Sequence, residues 1–101
     1  MKSLLPLALV VCVGPALAQS SISEAKCQTW ENVMKGQTIP FRQQGIPVGV
    51  SEKSYNSEDD VRTRVFLKKT VQMIYGDLAK GTRYVESGAF LKECVKTHRG
   101  F

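Results

Sequence analysis

At 101 residues the chain has room for one small domain, and no run in it approaches the apolar length of a membrane-spanning helix, about 20 residues. Its 14 Lys/Arg against 9 Asp/Glu give a formal net charge of +5, spread along the chain rather than gathered in blocks. A moderate, dispersed excess says more about solubility and attraction to anionic surfaces than about a nucleic-acid partner, which an exported protein seldom meets.

The first predicted element is an export signal. Lys2 precedes an apolar run from Leu4 to Val13, followed by Pro15-Ala16-Leu17-Ala18. A basic start, a short apolar centre and a small-x-small site form the pattern of a secretory signal peptide, with cleavage predicted near Ala18. A lipoprotein reading at Cys12 fails, because Val11 is too bulky before a modified cysteine and Cys12 lies inside the apolar run. Residues 1–18 are thus read as a cleaved signal peptide and 19–101 as a single helical domain, periplasmic or secreted. Loss of Lys2 takes the net charge from +5 to +4.

Cleavage leaves two cysteines, Cys27 and Cys94. In an oxidising compartment the simplest reading of such a pair is a disulfide. The chain has no C-x-x-C, and two distant cysteines with His98 lack the spacing of metal ligands. A bridge closing nearly the whole mature chain contributes about 4 kcal/mol in the chain-entropy account. That is a large share of the stability of so small a domain.

Ser21-Ile22-Ser23-Glu24 reads as a capping box. Cys27, Trp30, Met34 and Phe41 then fall close to one helical face. The expected first helix runs from about Ile22 to Gly36. Pro40 should then impose a kink or a short separate turn through Gln44. Gly45-Ile46-Pro47 is a stop signal, with glycine for the left-handed residue, an apolar residue behind it and proline beyond. Pro47 to Asn56 is equally compatible with a short helix and an ordered loop.

The stretch from Ser57 to Leu78 is the expected centre of the fold. Leu67, Val71, Ile74 and Leu78 recur at helical spacing, widened by Phe66, Met73 and Tyr75. Ser57 is the expected cap, with Glu58, Asp59 and Asp60 in the first turn against the positive end of the helix dipole. Glu58 with Arg62, and Asp60 with Arg64, are spaced as i, i+4 ion pairs. The helix should end near Gly76 or run to Lys80, with Gly81 as the break. A last helix from Thr82 then presents Tyr84, Gly88, Leu91 and Val95, and it carries Cys94 inward. The fold class that follows is all-α, a small three- to four-helix bundle tied by one disulfide.

No catalytic, cofactor-binding or metal-binding residues are assigned. There is no phosphate loop, nucleophile elbow or zinc motif. His98 reads as a helix-end or solvent residue, the Glu58-Asp59-Asp60 cluster as first-turn charge, and Trp30 as core. Tyr55 is the expected exposed aromatic. Arg62, Arg64, Lys68 and Lys69, with Val61 and Val65 among them, form the candidate partner-binding surface. They read either as a solvated helix face or as a docking site for an acidic partner or membrane headgroups. The Arg42-Gln43-Gln44 turn is a further candidate.

Cys27 on the first helix, Arg42-x-x-Gly45-Ile46-Pro47, Val71-x-x-Ile74-Tyr75 and Cys94 on the last helix resemble a group of small exported proteobacterial proteins. The resemblance implies a helical, single-disulfide fold and no particular activity. In size, helical content and single disulfide the chain is also similar to HdeA-type periplasmic acid-stress chaperones. The expected function is a non-enzymatic module that binds another protein, of the envelope, stress or inhibitor/immunity kind. An acid- or stress-activated chaperone is the alternative.

Overall fold

A computed structural model describes residues 23–98. The predicted signal peptide and Ser21, the predicted N-cap, lie outside the described residues.

Helix α1 occupies residues 23–43 without a break, although its hydrogen-bonding pattern changes on the way. It is α-helical to residue 33, π-helical over Met34–Thr38 and α-helical again over Ile39–Gln43. The widened turn lies directly before Pro40, where Ile39 N–H reaches back five residues to the Met34 carbonyl. Proline has no N–H for the carbonyl four residues back, and its ring crowds that carbonyl. One wide turn relieves both problems, so a separate turn beyond Gly36 does not form. The predicted stop holds in detail. Gly45 has φ +80°, Gly45 N–H donates to the Arg42 carbonyl (3.2 Å), and Ile46 N–H donates to the Phe41 carbonyl (2.9 Å). These are the paired bonds of a Schellman cap.

Pro47 opens a short helix α2, Val48–Lys53. The turn after it carries Tyr55, which is fully buried rather than exposed. Its hydroxyl lies 2.6 Å from Thr38 Oγ1 and 3.1 Å from Met34 Sδ, and its ring centroid is 5.2 Å from that of Trp30. A tyrosine with a satisfied hydroxyl is core material, and burial pushes its pKa up to about 12.

Helix α3, Val61–Gly76, is capped by Asp60 and not by Ser57. The Asp60 carboxylate accepts from Thr63 N–H (3.0 Å) and from the Thr63 hydroxyl (2.6 Å). The helix therefore starts later than its acidic run suggests, because Glu58 turns inward and accepts from Asp60 N–H (3.0 Å). Thr63, Leu67, Thr70, Val71 and Ile74 form the buried face; three of the four seam residues lie on it, while the fourth, Leu78, falls beyond the end of α3. Asp77, in extended conformation, ends α3 and caps helix α4, Leu78–Glu86, through Lys80 N–H (3.1 Å).

Gly81 is consequently not a break. It lies inside α4, buried, where a Cβ would stand 2.5 Å from the Ile74 Cα. Its missing side chain lets α4 fold back closely on α3. The chain breaks instead at Ser87-Gly88, with Gly88 at φ +92°, and resumes as helix α5, Ala89–His98. The single last helix expected from Thr82 is thus two helices meeting at a glycine turn.

The described residues hold five helices and no strand, an all-α bundle tied by one disulfide. Cys27 and Cys94 join α1 to α5 with Cα atoms 5.8 Å apart across a sequence separation of 67. Around the bridge, Met34, Tyr55, Leu67, Val71, Ile74, Val85 and Phe90 form one core. Phe66 stacks on Phe90 with centroids 5.5 Å apart. Among the described residues no helix is long and apolar enough to cross a membrane.

Candidate functional site

The acidic run before α3 separates into residues with different work. Glu58 is 1% exposed. Its Oε1 accepts from Trp30 Nε1 (2.8 Å), while Oε2 accepts from Asp60 N–H and pairs with Lys26 Nζ (3.2 Å). Burial by itself would raise its pKa. The hydrogen bonds from Asp60, Trp30 and Lys26, with the Lys26 charge, outweigh that and hold the carboxyl below the usual glutamate value. Glu58 therefore ties α1 to the start of α3. Its predicted pairing with Arg62 is not formed.

His98 is half-buried at the end of α5, with Nδ1 3.3 Å from Thr63 Oγ1. The Asp60–Thr63–His98 line has the residue types of a hydroxyl-activating relay but the opposite polarity. The threonine proton points to the aspartate that caps the helix, and the hydroxyl is buried. Among the described residues no group of three His, Cys, Asp or Glu side chains could hold a metal ion.

The four basic residues of α3 do not act alike. Arg64 is half-buried and donates from Nη1 to the Glu58 carbonyl (2.7 Å), so it reinforces the capped end and does not pair with Asp60. Arg62 and Lys69 are exposed and Lys68 is half-buried. Among the described residues the ion pairs are Lys26–Glu58 and Lys35–Glu31, so none of these three is held in an ion pair there, although the Arg62 charge acts on nearby Asp60. Val61 and Val65 stand between them, 59% and 48% exposed. Val61, Val65, Lys69, Gln72 and Gly76 follow helical spacing and are all exposed, making one stripe along α3.

The candidate turn at Arg42 borders a groove of about 530 Å³ at the far end of this stripe, whose other lining residues, Ile46, Pro47, Val48, Gln72 and Tyr75 among them, sequence reasoning did not bring together. Arg42 donates from Nε to the Tyr75 carbonyl (3.1 Å), a cation placed against the last carbonyls of α3. The Tyr75 hydroxyl donates to the Ile46 carbonyl (2.7 Å) and lies 2.8 Å from Ser51 Oγ. Two short motifs far apart in the chain, Arg42-x-x-Gly45-Ile46-Pro47 and Ile74-Tyr75, are therefore one structural unit. Their co-occurrence, with the candidate turn at Arg42, was the signal of the groove in the sequence.

Compared with family models, curated proteins and solved structures, the chain matches none.

Proposed function

We propose that this is a small exported, non-enzymatic module that binds an acidic protein partner on the exposed face of α3. The observation that carries the reading is the placement of Val61 and Val65 among Arg62, Lys68 and Lys69, cations that form no ion pair among the described residues. Apolar side chains in water gain from being covered, and unpaired cations around them select and steer a partner of opposite charge. The disulfide and the capped helix ends hold that face rigid, so little ordering accompanies binding.

A photo-crosslinking residue at position 65 tests this in periplasmic extract, with the same residue at position 28 as control. Adducts specific to position 65, mapped to acidic segments and lost on Arg62→Glu/Lys68→Glu/Lys69→Glu, are the expected result. The same adducts from both positions, or adducts indifferent to charge reversal, would sink the reading.

One observation favours a second reading, an acid-activated chaperone of HdeA-like type. A buried ionised carboxylate, Glu58, joins two helices, and its protonation weakens that joint while net positive charge rises. Circular dichroism from pH 7 to pH 2, run beside a client-aggregation assay, decides the matter. An unchanged fold without protection of the client ends this reading.

A further inference from the structure

Gln72 and Gly76 belong both to the exposed stripe of α3 and to the groove, so the two form a continuous surface. From Val61 to Gly76 the helix rises about 22 Å, the span of about seven residues of extended chain. We propose that the groove is the anchoring pocket of this surface. It takes one bulky apolar side chain from an acidic peptide segment whose carboxylates lie along Arg42, Lys69, Lys68 and Arg62. The inference rests on the acidic-partner reading and specifies what that partner presents.

The groove is built in advance. Its Tyr75 ring is held at the hydroxyl by Ile46 and Ser51, and its Ile46-Pro47 wall by the Schellman cap. A rigid apolar pocket that receives one large side chain is the usual centre of binding energy in such interfaces, since little is ordered when it fills. Charge selects the flanking residues. Arg42 uses Nε on Tyr75, and its terminal nitrogens have no partner among the described residues. The carboxylates bordering this surface are Glu52, accepting from Gln72 Nε2 (3.1 Å), Asp60, engaged in the Thr63 cap, Asp77, engaged in the cap of α4, and the exposed Asp59. Within the stripe itself, from Val61 to Gly76, every charged residue is basic. A second copy of the chain would bring the same cations face to face, which disfavours self-association as the occupant.

Fluorescence anisotropy with labelled peptides provides the test. The probes are seven-residue peptides of alternating Asp and Glu with a single Phe first or last, each paired with a companion carrying Ser for Phe. The wild-type protein should bind one Phe peptide at least about tenfold tighter than its Ser companion. Gly76→Trp places an indole at the groove rim, where a Cβ meets nothing within 4 Å, and should abolish that preference while weak, salt-sensitive binding persists. Val48→Glu, a carboxylate in the groove wall, should do the same. Equal binding of Phe and Ser peptides, or a preference untouched by both variants, overturns the anchoring pocket. The acidic-partner reading then stands if Arg62→Glu/Lys69→Glu still removes the residual binding, and falls with it if charge reversal changes nothing.

Discussion

Trp30 and Glu58, 28 residues apart, meet through a 2.8 Å hydrogen bond from the indole Nε1 to a carboxylate oxygen that water scarcely reaches. The same carboxylate holds Lys26 and the backbone of Asp60, so one side chain gathers the disulfide-bearing helix and the start of the central one.

Glu58→Gln should destabilise the protein at pH 7 by about 2 kcal/mol, because charge-assisted bonds become neutral ones and one oxygen becomes a donor facing donors. The pH dependence has a definite sign. A carboxyl whose folded pKa lies below its unfolded value stabilises fully above the unfolded value, and that contribution fades as pH falls through the folded one. Urea denaturation at pH 7 and at pH 3 should therefore show wild type and Glu58→Gln converging as acid is added. A constant gap would contradict the tether.

Gly81 and Gly76 should respond in opposite ways to alanine. At Gly81 the new methyl group collides with Ile74 backbone, and Gly81→Ala should cost about 2 kcal/mol despite alanine's better helix propensity. Gly76→Ala, with open space around it, should be neutral or stabilising by up to about 1 kcal/mol. Thermal melts of the two variants suffice, and equal shifts would refute the close approach of α4 to α3.

The four basic residues of α3 should divide by their contacts. Arg64→Gln removes a bond to the Glu58 carbonyl and should lower stability by about 1 kcal/mol. Arg62→Gln, Lys68→Gln and Lys69→Gln should each stay within about 0.5 kcal/mol of wild type, since no ion pair is lost among the described residues. Chemical denaturation of the four variants reads this out, and a loss at Lys69 as large as at Arg64 would be the contrary result.

Opening the Cys27–Cys94 bridge should lower stability by about 2–4 kcal/mol, given the 67-residue separation it constrains. The Cys27→Ser/Cys94→Ser protein, unfolded in urea beside the wild type, should show the shift. Wild type in reductant should match the double variant. An unchanged midpoint in both would remove the bridge from the account of stability.

The parts of the fold legible in the sequence are those set within a turn or two of chain. Gly45-Ile46-Pro47 specifies its cap because the bonds involved reach no farther than Phe41. Leu67, Val71 and Ile74 announce a buried face because helix periodicity alone aligns them. The cysteine pair was legible for another reason, that the predicted cleavage near Ala18 leaves two thiols with only each other as partner. The fate of Tyr55, Glu58, Gly81 and Arg42 was decided elsewhere. A tyrosine in a polar turn becomes core only when Thr38 and Met34 arrive to satisfy it, and a glutamate is buried only when Trp30 and Lys26 supply donors. Gly81 reads as a helix breaker until the neighbouring helix comes within reach of its Cα. The candidate surface divides likewise: helical spacing alone places Arg62, Lys68 and Lys69 together on α3, but only packing takes Arg64 out of that set and brings Arg42 beside Tyr75. Local bonding is written in neighbouring residues, whereas the desolvation of a polar or charged group is settled by whatever distant partner folding places against it.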